Sequence, residues 1–435
     1  MKINYSSLGC KVNLYECEAL INVFLKNNFV LSESQFNNDV YIVNTCCVTN
    51  NSEMKSRKLI RQIIKNNPNA IIVVMGCYSQ IKPDEIAKID NVDLIFGTNN
   101  RSKIFEEVQK ILVNKQVLKQ NISNIKDFNK YELLKIDKFI DRTRAFVKIE
   151  DGCENFCSYC IIPYTRGKIK SRCPKEVIEE VRRLTQNGIK EIVLIGINTG
   201  CYGDDLGNIS LELLIKRIIT EIPGEYRLRI SSIEITKITD GLINLMKTYP
   251  KKICNHLHIP LQSGNERILE LMNRKYDFAF FENKIFEIRK NLPNINITTD
   301  IIVGFPTETN EEFLDTYNKT IRLKFGEMHV FIFSKRKGTK AALLEYNLNS
   351  IEIKQRSKKI IELSKKMALD YRKECKDTVY NVLIEKIIDN KCIGHTENYL
   401  LTEFKNNNFK INQIVQIKIK EASYPISKGE SYEIH

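Results

Sequence analysis

Between residues 145 and 334, six short apolar runs follow one another, and each is followed by loop residues. In most cases a stretch with helical periodicity comes next. This alternation predicts an α/β fold, a partial (β/α)6 parallel barrel whose functional site lies at the carboxyl ends of the strands. The runs are AFVKIE, EIVLIG, RLRISSIE, HLHIPLQ, NITTDIIVGF and HVFIFS, and the predicted helices cover Lys175 to Gln186, Leu211 to Thr220, Asp240 to Lys247, Glu266 to Met272 and Glu311 to Leu323.

Two further folded segments flank the barrel, which we expect to occupy residues 139–371. Residues 1–112 alternate the strands KINYSSL, VYIVN, AIIVVM and VDLIF with helical stretches, which predicts an N-terminal parallel-sheet α/β domain. Residues 113–138 are polar and irregular, as expected of a linker. After a long helix of about Ile351 to Lys376, residues 372–435 carry short strands, which predicts a small antiparallel β-barrel.

The composition limits the setting in which the chain works. Its N-terminus lacks the apolar stretch of a signal peptide, and no run approaches the roughly 18 apolar residues of a membrane span. We therefore expect a cytoplasmic protein without a membrane partner, whose thirteen cysteines do not form disulfides and whose clustered cysteines bind metal or do chemistry. The formal net charge of +14 indicates a polyanionic partner, unless it reflects a lysine-rich sequence as a whole.

Three closely spaced cysteines follow the first strand of the predicted barrel. Cys153, Cys157 and Cys160 have the spacing CxxxCxxC within DGCENFCSYCIIPYTRG. Three thiolates at this spacing can hold three irons of a cubane cluster while the fourth iron stays open to a small molecule. Zinc is the alternative, but a closed zinc site needs four ligands, and only Cys173 stands nearby.

Three more cysteines each follow a strand of the predicted N-terminal sheet. Cys10, Cys46 and Cys77 come after the first, second and third strands, where open parallel sheets place their ligand sites. If they converge, they can hold a second three-cysteine cluster. The alternative is that each is a small buried hydrophobic residue, which is a common role for a free cysteine.

The sequence motifs around both sets of cysteines resemble those of one known family. The central loop, with Tyr159 before its third cysteine, resembles the signature of radical S-adenosylmethionine (radical SAM) enzymes, while LGCKVNLYECE, NTCCVTN and GCYSQ resemble in order the three cysteine motifs of methylthiotransferases. The resemblance implies two [4Fe-4S] clusters and bound S-adenosylmethionine. Cys47 stands beside Cys46 where related sequences usually have no cysteine, and the NTC register favours Cys46 as the ligand.

Residues at the strand ends of the barrel are candidates to bind S-adenosylmethionine. Each of them is equally compatible with a packing or turn role. Besides Tyr159, the candidates are Gly196, Asn198, Ser232, Glu234, His258, Gln262, Asp300 and Gly304.

The resemblance also implies a substrate. Three motifs resemble those of the branch that methylthiolates N6-threonylcarbamoyladenosine in tRNA, namely GCKVN, the DGC that begins the central cysteine loop, and FSKRKGTKAA. In place of GCKVN, the isopentenyladenosine branch usually reads GCQMN and the ribosomal-protein branch reads GCPKN. The implied reaction replaces the adenine C2–H next to the anticodon by a methylthio group, with an electron donor such as flavodoxin or ferredoxin. The alternatives are the same chemistry on isopentenyladenosine or on a ribosomal protein aspartate, and a noncatalytic iron-sulfur protein that binds RNA or carries electrons.

Two regions are candidates for contact with tRNA. Lys335, Arg336, Lys337 and Lys340 form a basic loop that contacts backbone phosphate or, alternatively, only solvent. The C-terminal barrel resembles the RNA-binding TRAM module, yet residues 377–435 hold seven Lys and no Arg against eight Asp or Glu. Stacking by Tyr399 or Phe404 is therefore expected to contribute there.

Overall fold

A parallel sheet organises the N-terminal part of the chain in the computed structural model, which describes residues 1–114, 119–136, 143–346 and 348–432. Its strands are β1 (Lys2–Ser7), β2 (Val30–Leu31), β3 (Val40–Thr45), β4 (Ile71–Gly76), β5 (Leu94–Phe96) and β6 (Lys119–Asn121), and its helices are α1 (Lys11–Lys26), α2 (Asn50–Asn66), α3 (Cys77–Ile81), α4 (Pro83–Ala87) and α5 (Ile104–Asn114). The strand order is β2-β1-β3-β4-β5-β6, with every neighbouring pair parallel. Strands β3 and β4 are buried throughout, as expected for a parallel sheet covered on both faces.

The central part of the chain forms the predicted partial barrel. Its elements are β7 (Arg144–Lys148), β8 (Glu150–Asp151), α6 (Ile162–Arg166), β9 (Lys170–Ser171), α7 (Pro174–Gln186), β10 (Glu191–Ile195), α8 (Leu211–Glu221), β11 (Arg227–Ile230), α9 (Asp240–Thr248), β12 (His256–His258), α10 (Glu266–Leu271), α11 (Phe278–Asn291), β13 (Asn296–Val303), α12 (Asn310–Leu323), β14 (Glu327–Ile332) and α13 (Ser350–Glu374). Parallel sheets β7-β10-β11 and β12-β13-β14 are joined by a bridge between Leu228 and Ile253. The predicted fold class is confirmed.

The C-terminal part closes into a barrel of five strands. These are β15 (Val379–Ile388), β16 (Lys391–Thr396), β17 (Leu401–Lys405), β18 (Ile414–Glu421) and β19 (Ser427–Ser431), in the order β15-β16-β17-β19-β18. Four of the pairs are antiparallel, but β17 and β19 pair in parallel. The predicted small antiparallel β-barrel is confirmed apart from this one parallel pair, which forms because β19 runs antiparallel to β18 and lies between β18 and β17.

Three elements differ from the sequence expectations. Helix α1 begins at Lys11 rather than Glu16, and α11 was not predicted. Strand β6 lies inside the segment expected to be a linker, because an edge strand needs few apolar residues when only its backbone pairs with β5. Leu134 and Ile136 from the same segment are buried in the barrel core. The proposed domain boundaries at residues 112, 138 and 371 stay a prediction.

Buried ion pairs connect the N-terminal sheet to the barrel. Glu16 of α1 accepts hydrogen bonds from Lys148 and Arg166, each at 2.8 Å, and also pairs with Arg101. Asp151 pairs with the same two barrel cations, Lys148 at 2.6 Å and Arg166 at 2.9 Å. Burial alone would raise the pKa of Glu16, but Arg101, Arg166 and Lys148 outweigh it and hold that pKa far below its usual value. The network fixes α1 against the loop that carries the central cysteines.

No helix among the described residues combines the length and the apolar character that crossing a membrane requires.

Candidate active site

The sheet brings the three N-terminal cysteines together. Cys10 caps α1 after β1, Cys46 follows β3 and Cys77 begins α3 after β4, and these three strands are neighbours in the sheet. Gly9 has a φ of +106°, and a Cβ at this position would lie 3.0 Å from the Cβ of Cys46. Burial raises the pKa of the Cys46 thiol to about 11, with further contributions from Cys77 and Cys10. Burial also raises the pKa of Cys10, although the residue as a whole is exposed.

Cys46 and Cys47 have different surroundings. Cys46 lies against Gly9 next to Cys10, and its backbone N–H is 3.4 Å from the hydroxyl oxygen of Ser56. Cys47 is fully buried in an apolar cluster and shares a hydrogen bond with Cys77, which is the largest cause of a Cys77 pKa lowered to about 6. The side chain that faces the open end of the sheet beside Cys10 is therefore that of Cys46.

A tight loop after β8 carries the central cysteines, all of them partly buried. The Cys153 N–H donates to the Gly167 carbonyl at 3.0 Å, and the Cys160 N–H to the Cys157 carbonyl at 2.9 Å. Gly152 has a φ of +92°, and a Cβ there would lie 1.9 Å from the carbonyl oxygen of Lys168, so the turn requires glycine. Burial raises the pKa values of Cys153 and Cys160 to about 12.

Both cysteine sets suit a cluster better than a single ion. Among the described residues, neither triad brings its three sulfur atoms within 4.8 Å of one another. A tetrahedral zinc with Zn–S bonds of about 2.3 Å would need sulfurs about 3.8 Å apart. Thiolates more widely spaced, three to a site, are the donor set that a cubane with one open iron requires. The residues present therefore fit an iron-sulfur cluster at each place.

Two cavities adjoin these cysteines and share Asp300. The smaller has a volume of about 190 Å³ and is lined by Cys160 together with the candidates Tyr159, Gln262 and Asp300. The larger, of about 520 Å³, extends through the barrel interior from Cys10 to Tyr399 of the C-terminal barrel. Among the candidates it is lined by Gly196, Ser232, His258 and Asp300.

Three sequence candidates lie outside both cavities. Asn198 is buried, and its backbone N–H donates to Glu150 at 2.9 Å. Glu234 pairs with Arg274, so its carboxylate is already neutralised. Gly304 has a φ of +69° and donates its N–H to Glu308 at 2.9 Å, which is a turn role. All three lie near strand ends, as the sequence predicts, but their side chains or backbone groups bond to other residues of the protein and do not line either cavity.

Asp300 in β13 joins two histidines on the flanking strands, His258 of β12 and His329 of β14. Asp300 Oδ1 lies 3.2 Å from His258 Nε2 and 3.3 Å from His329 Nδ1. Burial raises the pKa of Asp300, but the two histidine hydrogen bonds outweigh it and the net shift is downward. Hydrogen bonding to Asp300 in turn raises the pKa of His329. The shared carboxylate thus orients both rings, which stack at a centroid distance of 5.2 Å.

Several site residues carried no sequence signal that identified them. Arg274, in the loop after α10, lies 3.4 Å from the Cys157 sulfur and from the Tyr159 hydroxyl, and it also pairs with Glu234. Lys11 and His329 line the larger cavity, as do Arg229 and Tyr399. Lys11 stands beside the Cys10 motif, and His329 begins a predicted run, but only the fold shows which way their side chains point.

Two expectations about RNA contact are wrong. Arg336 is buried and bonded to Glu53 and Asn50 of the N-terminal domain, so it does not contact phosphate, whereas Lys335, Lys337 and Lys340 are exposed. Phe404 is 3% exposed in the core of the C-terminal barrel and cannot stack on a base. Tyr399 is half-buried and lies between Arg229 and His395, facing the cavity.

Comparison with solved structures supports the fold. The chain is similar to the radical S-adenosylmethionine methyltransferase TsrM from Kitasatospora setae, with a TM-score of 0.59, 10% identity, and coverage of 87% of this chain and 80% of that chain. It is also similar to the cobalamin-dependent radical enzyme OxsB, with a TM-score of 0.52, 10% identity, and coverage of 85% of this chain and 57% of that chain.

Family and sequence comparisons identify the relatives. Residues 147–320 match the radical SAM superfamily, and residues 2–97 match an uncharacterized protein family designated UPF0004. The "Threonylcarbamoyladenosine tRNA methylthiotransferase MtaB" of Bacillus subtilis is 41% identical over 98% of this chain and 96% of its own length. That of Thermotoga maritima is 36% identical over 97% and 95%. A "tRNA-2-methylthio-N(6)-dimethylallyladenosine synthase" of a Thermoanaerobacter species is 36% identical over 98% and 92%. Because these relatives are 36–41% identical to the chain over nearly its full length, the chain belongs to the radical SAM methylthiotransferase family.

Proposed function

We propose that this protein is a tRNA methylthiotransferase that replaces the C2–H of N6-threonylcarbamoyladenosine, next to the anticodon, by a methylthio group. The observation that carries the proposal is the placement of the two cysteine sets. Cys10 borders one cavity and Cys160 borders another, and the two cavities meet at Asp300. A single adenine bound at this junction is accessible from both sites. The 41% identical relative from Bacillus subtilis, which bears the name of this activity, supports the choice of nucleoside.

The chain's own residues hold and orient the reacting groups. In this proposal Cys10, Cys46 and Cys77 hold one [4Fe-4S] cluster, and Cys153, Cys157 and Cys160 hold the other. Bound together with S-adenosylmethionine, these groups supply hydrogen-atom abstraction and sulfur transfer. Arg274, 3.4 Å from the Cys157 sulfur, places a positive charge beside the central site. Its charge partly offsets the effect of burial on the pKa of the Cys160 thiol, and a metal binds the thiolate form.

Six of the sequence candidates are proposed to contact S-adenosylmethionine because they line one of the two cavities. The smaller cavity presents mostly apolar side chains, which exclude water from a reactive centre, and Asp300 and Gln262 are its polar contacts. In the larger cavity Ser232 and His258 offer further hydrogen-bonding groups. The six are Tyr159, Gly196, Ser232, His258, Gln262 and Asp300.

The partners follow from the substrate. The exposed Lys335, Lys337 and Lys340 are proposed to contact tRNA phosphates, and the C-terminal barrel is proposed to act as a TRAM-like module beside them. A tRNA substrate places the reaction in the cytoplasm. An electron donor such as flavodoxin or ferredoxin is required to start the chemistry, and the sulfur source is left open.

The test uses protein purified without oxygen and reconstituted with iron and sulfide. We expect about eight irons per chain, with methylthio-threonylcarbamoyladenosine detected by nucleoside mass analysis after incubation with tRNA, S-adenosylmethionine and a reductant. The variant with Cys153, Cys157 and Cys160 changed to Ala should lose about four irons and all cleavage of S-adenosylmethionine. The variant with Cys10, Cys46 and Cys77 changed to Ala should also lose about four irons but keep cleavage without methylthiolation.

The principal competing substrate is isopentenyladenosine, because a relative named for dimethylallyladenosine is 36% identical to the chain. Parallel reactions with tRNA that carries either nucleoside separate the two. Product formed only on isopentenyladenosine, or only about four irons in the wild-type protein, contradicts the proposal.

A further inference from the structure

Lys11 projects into the larger cavity from the first position of α1, directly after Cys10. The residue is solvent-accessible. Arg229 and Tyr399 line the same cavity.

Lys11 is a lining cation that forms no ion pair with a described residue. No carboxylate oxygen of a described residue lies within 4.0 Å of its ammonium group, and its side chain makes no hydrogen bond to a described residue. The other lining cation, Arg229, is bonded to Glu191 at 2.7 Å and to backbone carbonyls of the C-terminal barrel.

The acidic groups that line the cavity have other partners. Asp300 accepts from His258 and His329, and Glu327 accepts from the Tyr424 hydroxyl at 3.2 Å. An ammonium group that lines a cavity without an ion-pair partner can form a charge-assisted hydrogen bond with an anion that binds beside it. The cavity is therefore arranged to receive a ligand with one negative group near Lys11.

We infer that Lys11 is a specificity-determining residue that binds the carboxylate of the threonyl group of the substrate. The inference rests on the proposed function. In adenine, C2 and C6 are both bonded to N1, so a substituent on N6 emerges on the same edge of the base as C2. A carboxylate held by Lys11 therefore keeps that edge beside the Cys10 loop, where the proposed sulfur-bearing site lies.

The same contact discriminates against the competing nucleoside. An isopentenyl group is neutral and apolar, so its insertion would leave the Lys11 ammonium unpaired and further desolvated. A site built around one charged contact rejects an analogue that lacks its partner more strongly than an apolar pocket does.

The test measures binding of anticodon stem-loop RNA to the cluster-loaded enzyme without S-adenosylmethionine, so that no turnover occurs. The stem-loops carry threonylcarbamoyladenosine, its carboxyl methyl ester, or unmodified adenosine. For Lys11→Gln we expect affinity for the threonylcarbamoyl stem-loop to fall about tenfold to a hundredfold, with affinity for the other two unchanged. Lys11→Arg should retain most of the preference. Lys216→Gln on the outer helix α8 is the matched control, because Lys216 is exposed far from both cavities.

Iron content should stay at the wild-type level in all three variants, which shows that the Cys10 loop still holds its cluster. An equal loss for all stem-loops in Lys11→Gln overturns the inference, because Lys11 would then hold the RNA backbone. If Lys11→Gln keeps the wild-type preference for the stem-loop with the free carboxylate, the inference is overturned but the proposed substrate is not. Equal wild-type binding of all three stem-loops overturns it together with the proposed substrate.

Discussion

At the residue scale, neighbouring cysteines in one loop have different roles. Cys46 lies against Gly9 beside Cys10, whereas Cys47 is buried among apolar side chains and bonded to Cys77. The strand-end register favours Cys46 as a ligand from sequence, and the packing gives an independent reason for the same choice. Cys47 contributes burial and a hydrogen bond to the Cys77 sulfur.

This difference predicts the iron content of two single variants. Cys46→Ala should lower reconstituted iron by about four per chain, because two thiolates hold a cubane poorly. Cys47→Ala should keep all of its iron, with a modest loss of stability from the small cavity. Cys17→Ala, which removes another buried cysteine from the same domain, controls for cavity formation. Iron loss in Cys47→Ala and its retention in Cys46→Ala would reverse the assignment.

At the element scale, the alternation of strands and helices was sufficient to predict where the cysteines meet. Parallel strands expose their carboxyl ends at one edge, so Cys10, Cys46 and Cys77 follow from counting strands in the sequence. Arg274 and Lys11 could not be found this way, because each reaches its site across elements that are distant in the chain. Strand β6 was missed because backbone pairing at an edge leaves little trace in side-chain composition.

Strands β12, β13 and β14 together build a pH-sensitive group from His258, Asp300 and His329. The raised pKa of His329 stabilises the fold below its unfolded value of 6.5, and this contribution is lost as the pH rises through the folded pKa. The lowered pKa of Asp300 contributes above its unfolded value of 3.8 and is lost as the pH falls through the folded pKa. Both contributions to the stability of the fold are therefore fully present between about pH 4 and pH 6.5.

Asp300→Asn should lower the pKa of His329, since it removes the hydrogen bond that is the main cause of the raised value. Nuclear magnetic resonance titration of isotope-labelled histidines in the oxidised holoenzyme measures this, and the sequence holds only five histidines to assign. Glu385→Gln is the control, because Glu385 lies 2.7 Å from His395 in the C-terminal barrel and its loss should leave the raised pKa of His329 unchanged. A His329 pKa that stays raised in Asp300→Asn would remove Asp300 as its cause.

At the scale of the whole molecule, the C-terminal barrel completes the larger cavity. Glu191 of β10 holds Arg227 at 2.6 Å and Arg229 at 2.7 Å. Arg227 donates to the carbonyls of Asn381 and His395, and Arg229 to those of Thr396 and Glu397. The opposing charges drive the pKa of Glu191 well below its usual value despite burial, so the carboxylate is ionised. Through this contact Tyr399 is positioned at the end of the cavity.

Glu191→Gln should therefore detach the C-terminal barrel as well as destabilise the fold. It leaves two buried guanidinium groups without their anion, which costs about 3–5 kcal/mol. We expect a lower Tm and faster amide hydrogen exchange in β15 and β16, which the two arginines contact. The matched control is Glu225→Gln, which breaks a pair with Lys190 at 3.0 Å whose glutamate side chain is 73% exposed, and such a surface pair contributes about 0–1 kcal/mol. If both variants melt alike and exchange alike, the docking of the C-terminal barrel does not depend on Glu191. If only Glu191→Gln loosens it, weaker stem-loop binding in that variant follows from the displacement of Tyr399, and the C-terminal barrel is part of the substrate site.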